Sequence, residues 1–331
     1  MTGDMPPMAM TMGDPAGIGP ELALAAWRDR KPGAPFVVFA APGLLAAAAK
    51  RVGFKVPIIE TDPAGARAAF SHGLPVISLR NAVEDAPGRP NAGNAAATIE
   101  SIERAVEAVH HGKARAVVTN PIAKATLHQA GFKYPGHTEY LGVLAEAWGT
   151  AVFPVMMIWS EALAVAPVTI HIPLADAPKA LSGELIIRTA RVVDHDLRTR
   201  FGVARPRLAV AGLNPHAGEG GAMGREEITI IGPAIEALKT EGIDIVGPLS
   251  ADTMFHAKAR ASYDVALTMY HDQGLIPVKT LAFDEGVNVT LGLPFVRTSP
   301  DHGTAFDIAG KGLANPASLI AALKLADRLT R

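Results

Sequence analysis

The chain has 331 residues, of which 49% are hydrophobic and 19% are charged, and its formal net charge is −1. This length is sufficient for two domains, while the near-neutral charge and an aromatic content of only 5% argue against a nucleic-acid-binding surface. The sequence contains no cysteine, which excludes disulfides and thiolate metal sites and permits a reducing compartment.

The N-terminal stretch MTGDMPPMAMTMGDPAG contains an acid and several prolines but no basic residue, so it does not fit a signal peptide. No apolar run reaches the length of about 18 residues that a membrane span needs. We therefore expect a soluble cytoplasmic protein with no membrane partner and no nucleic-acid partner.

Apolar, β-branched runs alternate with alanine-rich stretches of helical periodicity along the chain. In chain order, the predicted elements are helix 21–30, strand 36–41, helix 94–111, strand 116–119, helix 138–148, strands 155–159 and 164–170, helix 180–200, strand 208–212, helix 225–240, strands 265–270 and 287–291, and helix 316–330. Such alternation is typical of an α/β protein with a largely parallel sheet. No long linker separates two halves, so the pattern favours two lobes between which the chain crosses.

Three histidines share one context, in which an apolar strand ends, a histidine follows, and a turn with proline or glycine comes next. They are His171 in VAPVTIHIPL, His216 in LAVAGLNPHAGEGG and His271 in LTMYHDQGLIPVK. If the three strands belong to one sheet, the three imidazoles could converge, and neutral imidazoles suit zinc, cobalt and similar ions. The alternative is that each histidine is an ordinary polar residue at a strand end, since no local ligand motif connects them.

Candidate anion-binding residues lie on both sides of these histidines. The segment YPGHTEYLG places His137 and Thr138 at a helix start, where Thr138 either caps the helix or helps to bind an anion such as phosphate. Lys279, Asn288 and Arg297 follow His271, and a lysine or arginine near a loop end can hold phosphate or carboxylate. Each charge has a structural alternative, as a solvated residue at the edge of an apolar segment.

The segment MGDPAGIGPELAL predicts a glycine-rich turn that opens a helix, with Pro20 near its first turn. It is not a dinucleotide fingerprint, because Leu22 stands where the third glycine is required, and no GxxxxGK[ST] phosphate loop occurs in the chain. A Rossmann domain is therefore not supported. The residues by themselves indicate an α/β protein with candidate metal and anion sites, and they leave the chemistry open.

Five long blocks together resemble the 4-hydroxythreonine-4-phosphate dehydrogenase family: GDPAGIGPE, GHTEYL, GLNPHAGEGG, MYHDQGLIPVK and GVNVTLGLPFVRTSPDHGTAFDIAGKG. The segment 302–316 also resembles the adenosine-side loop of the isopropylmalate and isocitrate dehydrogenases. The resemblance implies a two-lobed α/β fold of the isopropylmalate dehydrogenase type. Residues 1–135 and 300–331 would form a first, cofactor-side domain, and residues 136–299 a second domain with the metal, the substrate and the dimer interface.

The resemblance implies NAD- or NADP-dependent oxidation of the 3-hydroxyl of 4-phosphooxy-L-threonine, assisted by zinc, magnesium or cobalt. The product would be a β-keto acid that decarboxylates to 3-amino-2-oxopropyl phosphate in pyridoxine 5′-phosphate biosynthesis. It further implies a homodimer with shared active sites, in which one of the three metal-binding histidines comes from the partner subunit.

The implied site residues fall into four groups. They are the metal ligands His171, His216 and His271; the substrate contacts His137, Thr138, Lys279, Asn288 and Arg297; the catalytic candidates Lys279, Asp252 and Asp272; and the cofactor contacts His302, Gly303, Asp307 and Asn315. Three alternatives stay open: the same chemistry on a phosphorylated four-carbon sugar acid or a cis-diol, a metal-dependent phosphatase or hydrolase, and a binding protein without catalysis.

Overall fold

The structure is a computed structural model that describes residues 5–29, 33–134, 136–149 and 151–331. Its strands, in chain order, are β1 (Met8–Thr11), β2 (Phe36–Ala40), β3 (Ile58–Glu60), β4 (Leu74–Ser78), β5 (Ala116–Val118), β6 (Val155–Trp159), β7 (Ala164–Pro167), β8 (Arg207–Ala211), β9 (Asp244–Leu249), β10 (Val265–Thr268), β11 (Val287–Leu291) and β12 (Val296–Pro300).

The α-helices, in chain order, are α1 (Gly19–Arg28), α2 (Pro42–Val52), α3 (Ala66–Phe70), α4 (Ala95–His110), α5 (Lys124–Gln129), α6 (His137–Glu146), α7 (Ala177–Ala180), α8 (Gly183–Thr199), α9 (Gly232–Thr240), α10 (Ala257–Arg260), α11 (His271–Ala282) and α12 (Ala317–Leu329). A π-helical segment, Glu227–Ile231, runs directly into α9. Among the described residues, no helix is both long enough and apolar enough to cross a membrane.

The chain forms two compact units. Unit 1 is made of two separate segments of the sequence, and unit 2 is the single segment between them. Unit 1 consists of Met1–Val152 and Leu293–Arg331, and unit 2 consists of Phe153–Gly292. These limits differ from the expected 1–135 plus 300–331 and 136–299, chiefly because α6 belongs to unit 1. Tyr140 and Leu141 of α6 are buried in the core of unit 1 beside Ile102 of α4, so the helix cannot be separated from that core.

Unit 1 is built on a sheet in the order β3-β4-β2-β1-β5-β12, and every pairing between these neighbours is parallel. β1 lies in the middle, with β2 on one side and β5 on the other. The connections therefore change direction at β1, and the crevice outside the carboxyl ends of such strands is where open α/β sheets commonly bind ligands. All four residues of β1 are buried, as expected for a central parallel strand.

Unit 2 contains a mixed sheet in the order β11-β6-β7-β10-β8-β9. β11, β6 and β7 are antiparallel neighbours, whereas β7, β10, β8 and β9 run parallel to one another. Ile158, Val165, Ala209 and Ala266 form the centre of its hydrophobic core. The parallel half places the carboxyl ends of β7, β10 and β8 side by side at one edge of the sheet.

The predicted α/β fold class is confirmed, and most predicted elements lie within a few residues of the observed ones. Strands 155–159 and 287–291 coincide with β6 and β11, and helix 94–111 corresponds to α4. Helix 21–30 corresponds to α1, although its predicted last residue, 30, lies outside the described residues. Strand 164–170 is shorter than predicted, because β7 ends at Pro167.

The glycine turn predicted after His271 is wrong, because His271 is the first residue of the helix α11. The helix tolerates Gly274 and Pro277 in its sequence, and packing explains the glycine. A Cβ at Gly274 would lie 2.7 Å from Thr268 Oγ1, so only glycine allows α11 to approach β10 this closely. A residue that weakens a helix locally is therefore required by the contact between helix and strand.

Candidate functional site

The three predicted metal ligands follow the three adjacent parallel strands of unit 2. His171 comes after β7, His271 after β10 and His216 after β8, and these strands are neighbours in the order β7-β10-β8. The turns that carry the histidines thus start from one edge of one sheet, as the sequence pattern required. This placement is a property of the fold, since the histidines are far apart along the chain.

His171 and His271 lie close together within one chain. Their ring centroids are 5.5 Å apart, with the ring planes inclined at 45°. His271 Nδ1 lies 2.7 Å from Asp272 Oδ1, so this carboxylate can fix the ring orientation and leave Nε2 to face a ligand. The pair of imidazoles is compatible with a shared ion, because zinc–nitrogen bonds are about 2.0–2.1 Å long.

His216 occupies an unusual backbone conformation. The residues from His216 to Gly220 all have positive φ, with φ and ψ near left-handed helical values, and the run includes the non-glycine residues Ala217 and Glu219. A left-handed helical conformation costs a non-glycine residue roughly 1–2 kcal/mol. His171 is strained in the same way, with φ of 49°. Strain of this kind persists where the surrounding structure enforces it, and it clusters at functional sites.

The three histidines do not form a complete metal site within one chain. Across the described ranges, no group of three histidine, aspartate or glutamate side chains is close enough to hold a metal ion. The structure brings His171 and His271 together and places His216 on the neighbouring exposed turn. The donor set fits a borderline-soft divalent ion, with two neighbouring imidazoles and a carboxylate bonded to one of them.

The other candidates of unit 2 lie on regular elements or on the surface. Lys279 is half-buried in the last turn of α11, and Asn288 is the second residue of β11. Asn288 Oδ1 is buried and has no hydrogen-bond partner, which is costly unless a ligand supplies a donor. Asp252 is exposed and accepts a hydrogen bond from Ser250 Oγ at 2.6 Å, in the segment that follows β9.

The candidates of unit 1 form a cationic cluster around the start of α6. His137 and Thr138 are the first two residues of this helix, and Gly136 is its N-cap, so the interpretation of Thr138 as the cap is wrong. The backbone of Gly136 is extended, with φ of −168° and ψ of −173°, and the helical conformation begins at His137. The amino end of the helix therefore lacks a side-chain cap and offers backbone N–H groups to an anion.

Arg297 brings a buried positive charge to the same cluster. It lies on β12, is only 4% exposed, and donates from Nη2 to Thr119 Oγ1 at 2.7 Å. Burial lowers the pKa of Arg297 to about 10, an effect that the charge of Glu139 partly opposes, so the guanidinium stays protonated at neutral pH. A buried cation beside a helix amino end is suited to phosphate or carboxylate.

His137 is electrostatically coupled to this cation. Burial, together with the charges of Arg297 and Lys124, lowers the pKa of His137 well below its usual value, so the imidazole is neutral at pH 7. Its Nε2 atom is buried without a hydrogen-bond partner. Neutral His137 can therefore either donate or accept one hydrogen bond to a bound molecule, whichever tautomer is present.

The cofactor candidates lie in the loop between β12 and α12. His302 Nε2 is a further buried nitrogen without a partner, and His302 Nδ1 lies 3.1 Å from Gly303 O. Asp307 is exposed. Asn315 Oδ1 accepts a hydrogen bond from Ala317 N at 3.0 Å, so this side chain has a structural task at the start of α12.

Several residues outside the predicted set hold these positions in place. The backbone of the cofactor-side loop is bonded to the β1–α1 turn, since Ile18 N donates to Thr304 O at 3.0 Å and Gly312 N donates to Glu21 Oε2 at 3.1 Å. Burial raises the pKa of Glu21, while the hydrogen bonds from the loop oppose that effect. The sequence block GDPAGIGPE drew attention to this turn, but no local signal indicates that Glu21 holds a segment near the C-terminus.

The chain is similar to known proteins over most of its length. A family model described as "Pyridoxal phosphate biosynthetic protein PdxA" matches residues 32–326. A 4-hydroxythreonine-4-phosphate dehydrogenase of Methylorubrum populi is 59% identical and covers 100% of this chain and 96% of its own length. The enzyme of the same name from Caulobacter vibrioides is 52% identical, with coverage of 98% and 97%.

Solved structures show the same relationship. The crystal structure of 4-hydroxythreonine-4-phosphate dehydrogenase from Klebsiella pneumoniae is 37% identical, with a TM-score of 0.86 and coverage of 98% of this chain and 100% of that chain. A terephthalate 1,2-cis-dihydrodiol dehydrogenase from Burkholderia xenovorans is 29% identical, with a TM-score of 0.65 and coverage of 98% of both chains. The family resemblance carried by the sequence motifs is confirmed, and the chain belongs to the PdxA family of pyridoxal phosphate biosynthetic proteins.

Proposed function

We propose that this protein is a metal-dependent, NAD- or NADP-linked dehydrogenase that oxidises the 3-hydroxyl of 4-phosphooxy-L-threonine. The β-keto acid formed loses carbon dioxide to give 3-amino-2-oxopropyl phosphate, a step of pyridoxine 5′-phosphate biosynthesis. The observation that carries the proposal is the placement of three histidine-bearing turns after adjacent parallel strands, two of them with strained backbone. Family membership supports the choice of reaction.

His171, His216 and His271 are the proposed ligands of zinc, magnesium or cobalt, and one imidazole at each ion belongs to the partner subunit. When bound, the ion would polarise the substrate hydroxyl and lower its pKa, and the nicotinamide would accept the hydride. Asp272 orients the His271 ring from Nδ1. Lys279 or Asp252 receives the hydroxyl proton, directly or through water.

The cluster of unit 1 is proposed to bind the anionic groups of the substrate. Arg297 supplies a positive charge that desolvation strengthens, and the N–H groups at the start of α6 add directed donors. His137 and Thr138 lie at the same helix start, and neutral His137 has one buried ring nitrogen to satisfy. In unit 2, Lys279 and Asn288 are the proposed substrate contacts, and Asn288 Oδ1 offers a buried acceptor to a donor of the substrate.

The nicotinamide cofactor is assigned to the segment after β12, with His302, Gly303, Asp307 and Asn315 as contacts. His302 is the best supported of these, because its buried Nε2 lacks a partner in the structure. Gly303 is exposed, and a Cβ there would meet no atom within 4 Å, so its backbone is accessible.

A homodimer is proposed because the metal site is incomplete in one chain and because unit 2 exposes large apolar side chains near it. Ile276 and Phe283, in and just after α11, are 64% and 75% exposed, and Leu174, close to His171 in sequence, is 67% exposed. Exposed apolar residues of this size commonly mark an interface between proteins. Sedimentation of the metal-loaded protein should give twice the chain mass, and a monomer with full activity would contradict the shared site.

The proposed reaction is tested with a panel of phosphorylated hydroxy acids and both nicotinamides, after chelation and again after addition of each metal. We expect reduced nicotinamide to form with 4-phosphooxy-L-threonine only when metal is present. Unphosphorylated 4-hydroxythreonine is the matched control and should react far more slowly at equal concentration. Release of inorganic phosphate without nicotinamide reduction would instead identify a metal-dependent phosphatase or hydrolase.

A second candidate is the same oxidation on another diol or hydroxy acid. The observation that favours it is the likeness to the structure named terephthalate 1,2-cis-dihydrodiol dehydrogenase, which spans both chains almost completely. A phosphorylated four-carbon sugar acid would also satisfy the Arg297 cluster, as would a carboxylate-bearing cis-diol, whereas a cis-diol without an anionic group would not use it. A higher kcat/KM for 4-phospho-threonate, 4-phospho-erythronate or a cis-diol than for 4-phosphooxy-L-threonine would establish this alternative.

A further inference from the structure

Gln273 is a buried amide that joins two of the strand ends that carry the histidines. It is 9% exposed and lies two residues after His271 in α11. Its Oε1 accepts a hydrogen bond from Met269 N at 2.7 Å, just after β10. Its Nε2 donates to Gly212 O at 2.7 Å, just after β8. One side chain therefore links the backbone leading into His271 with the backbone leading toward His216.

A second buried side chain performs the equivalent task for His171. Thr169 is 4% exposed and donates from Oγ1 to Met269 O at 2.7 Å, and its backbone N donates to the same oxygen at 3.3 Å. Met269 is therefore the common point: its carbonyl is bonded to Thr169 and its N–H to Gln273. The three histidine-bearing turns are thus connected through one continuous set of buried hydrogen bonds.

Glu227 holds the strained turn from its other side. This carboxylate is 5% exposed and begins the π-helical segment, a widened helical geometry that is frequent at functional sites. Glu227 Oε1 accepts from Asn214 N at 2.8 Å, and Oε2 accepts from Asn214 Nδ2 at 3.0 Å.

The same carboxylate also contacts the left-handed turn itself. A Cβ at Gly218 would lie 2.6 Å from Glu227 Oε2, and one at Gly212 would lie 3.1 Å from Oε1. Glycine at these two positions lets the turn fold around the carboxylate. The conformation of the His216 turn therefore depends on a buried charge that does not belong to the predicted site.

We propose that Gln273 and Glu227 are positioning residues, which hold the His216 and His271 turns of each subunit in place and so orient their imidazoles for the divalent ions that the two subunits share. This inference rests on the proposed function, because it takes the histidines as metal ligands. Neither side chain touches the ion; each acts through the backbone from Gly212 to Asn214. Residues that orient the ligands of a metal typically change metal affinity 10–100-fold when they are replaced.

The experiment measures the dissociation constants of Zn²⁺ and Co²⁺ by calorimetry on the full-length apoprotein, together with kcat and KM. Gln273→Met keeps the length of the side chain but removes both hydrogen bonds, and Glu227→Gln keeps the shape but replaces one acceptor by a donor. We expect each to bind metal 10–100-fold more weakly, with reduced kcat and a KM for the phosphorylated substrate within about threefold of wild type at saturating metal.

Two further variants separate positioning from general stability. Gln273→Glu retains the acceptor for Met269 N but places a carboxylate oxygen against the acceptor Gly212 O, so its metal affinity should fall at least as far as that of Gln273→Met. Glu100→Gln is the matched control, because Glu100 is likewise a buried carboxylate that holds loop backbone, accepting from Arg80 N and Asn81 N in unit 1. It should lower the melting temperature and leave the metal dissociation constant unchanged.

The outcomes distinguish this inference from the proposed function. Absence of divalent-ion binding by the wild-type protein would refute the metal site and both ideas with it. Wild-type binding that Gln273→Met, Gln273→Glu and Glu227→Gln all retain at equal affinity would overturn the positioning roles and leave the proposed function intact. Equal losses of affinity in Glu100→Gln and Glu227→Gln would also overturn the inference, because affinity would then follow stability alone.

Discussion

The two units hold their candidate functional groups against different unfavourable contributions to the free energy of folding. In unit 1, Arg297 and His137 lie on a strand and at a helix start with ordinary backbone geometry, and the unfavourable term is desolvation. In unit 2, His171 and His216 are exposed to solvent, and the unfavourable term is left-handed backbone. A charge made costly by burial binds an opposite charge strongly, whereas a strained turn fixes the direction in which a side chain points.

In both units, the features proposed to serve function lower the stability of the fold. Different substitutions are needed to show this in each unit. Removing a buried charge should relieve desolvation, and replacing a residue with positive φ by glycine should relieve backbone strain. Each replacement should therefore separate activity from stability in its own unit.

The largest effect is expected for His216. His216→Ala and His216→Gly should both lose metal binding and lower turnover roughly 10³-fold, since metal assistance contributes several kcal/mol to transition-state stabilisation. His216→Gly should also raise the free energy of unfolding by about 1 kcal/mol relative to His216→Ala, because glycine adopts the left-handed conformation without strain. Metal titration, kinetics and urea unfolding of both variants provide the measurements; metal-loaded variants of full activity would contradict the ligand role.

The next largest effect is expected for Arg297. Arg297→Met should raise the KM for the phosphorylated substrate about 10–100-fold, because hydrogen bonds to charged groups contribute about 1.5–3 kcal/mol. The free energy of unfolding should change by less than about 1 kcal/mol, since relief from burying the charge of Arg297 offsets the loss of its hydrogen bonds to Thr119. Arg297→Lys, which keeps the charge without the planar fork, is the matched control and should fall between the two. An unchanged KM in Arg297→Met would contradict the anion assignment.

His137 gives a smaller, pH-dependent effect. Its pKa in the folded protein lies well below the unfolded value of 6.5, so the unfolded chain takes up a proton first as the pH falls. The contribution of His137 to stability is therefore complete above pH 6.5 and declines below it, down to the folded pKa. Urea unfolding of wild type and His137→Gln on both sides of pH 6.5 should show a shallower pH dependence in the variant. Parallel curves for the two proteins would show that the pKa of His137 is the same in the folded and unfolded states, which would contradict its burial as a neutral imidazole.

The smallest effect is expected for Asn315, whose side chain is expected to support both stability and cofactor binding. Asn315→Ala should lower the free energy of unfolding by about 1 kcal/mol, because the side chain bonds Ala317 N at the start of α12. Asn315→Asp keeps this acceptor and should retain stability. A rise in the KM for NAD or NADP in Asn315→Asp reports the cofactor contact, and an unchanged KM in both variants would remove Asn315 from the cofactor site.

The placement of the three candidate histidines could be predicted from the sequence because the pattern that marks them is local. An apolar run followed by a histidine identifies the ends of β7, β8 and β10, and a parallel sheet brings such ends to one edge. Periodicity also located most of the longer helices. The motif GHTEYL correctly indicated a helix start, although Gly136, and not Thr138, is the cap.

The remainder depends on contacts that no local pattern contains. The left-handed run at His216 includes Ala217 and Glu219, which have no intrinsic preference for positive φ, and the hydrogen bonds from Asn214 to Glu227 beside it are formed between residues that no local pattern connects. The turn expected after His271 is a helix because Gly274 packs on Thr268. Short strands such as β1 and β12 lacked a distinctive pattern, and their assignment depends on the neighbours with which they pair.

The hydrogen bond between Thr169 and Met269 joins residues separated by 100 positions in the chain. The turns that carry the imidazoles therefore reach their places only after β7 and β10 have paired. Pairing over such a separation is slow, because the entropy of loop closure is lost before the stabilising contacts form. A divalent ion consequently has no assembled partner in the nascent chain. We therefore expect a bound ion to stabilise the folded protein by mass action and not to act as a template for folding.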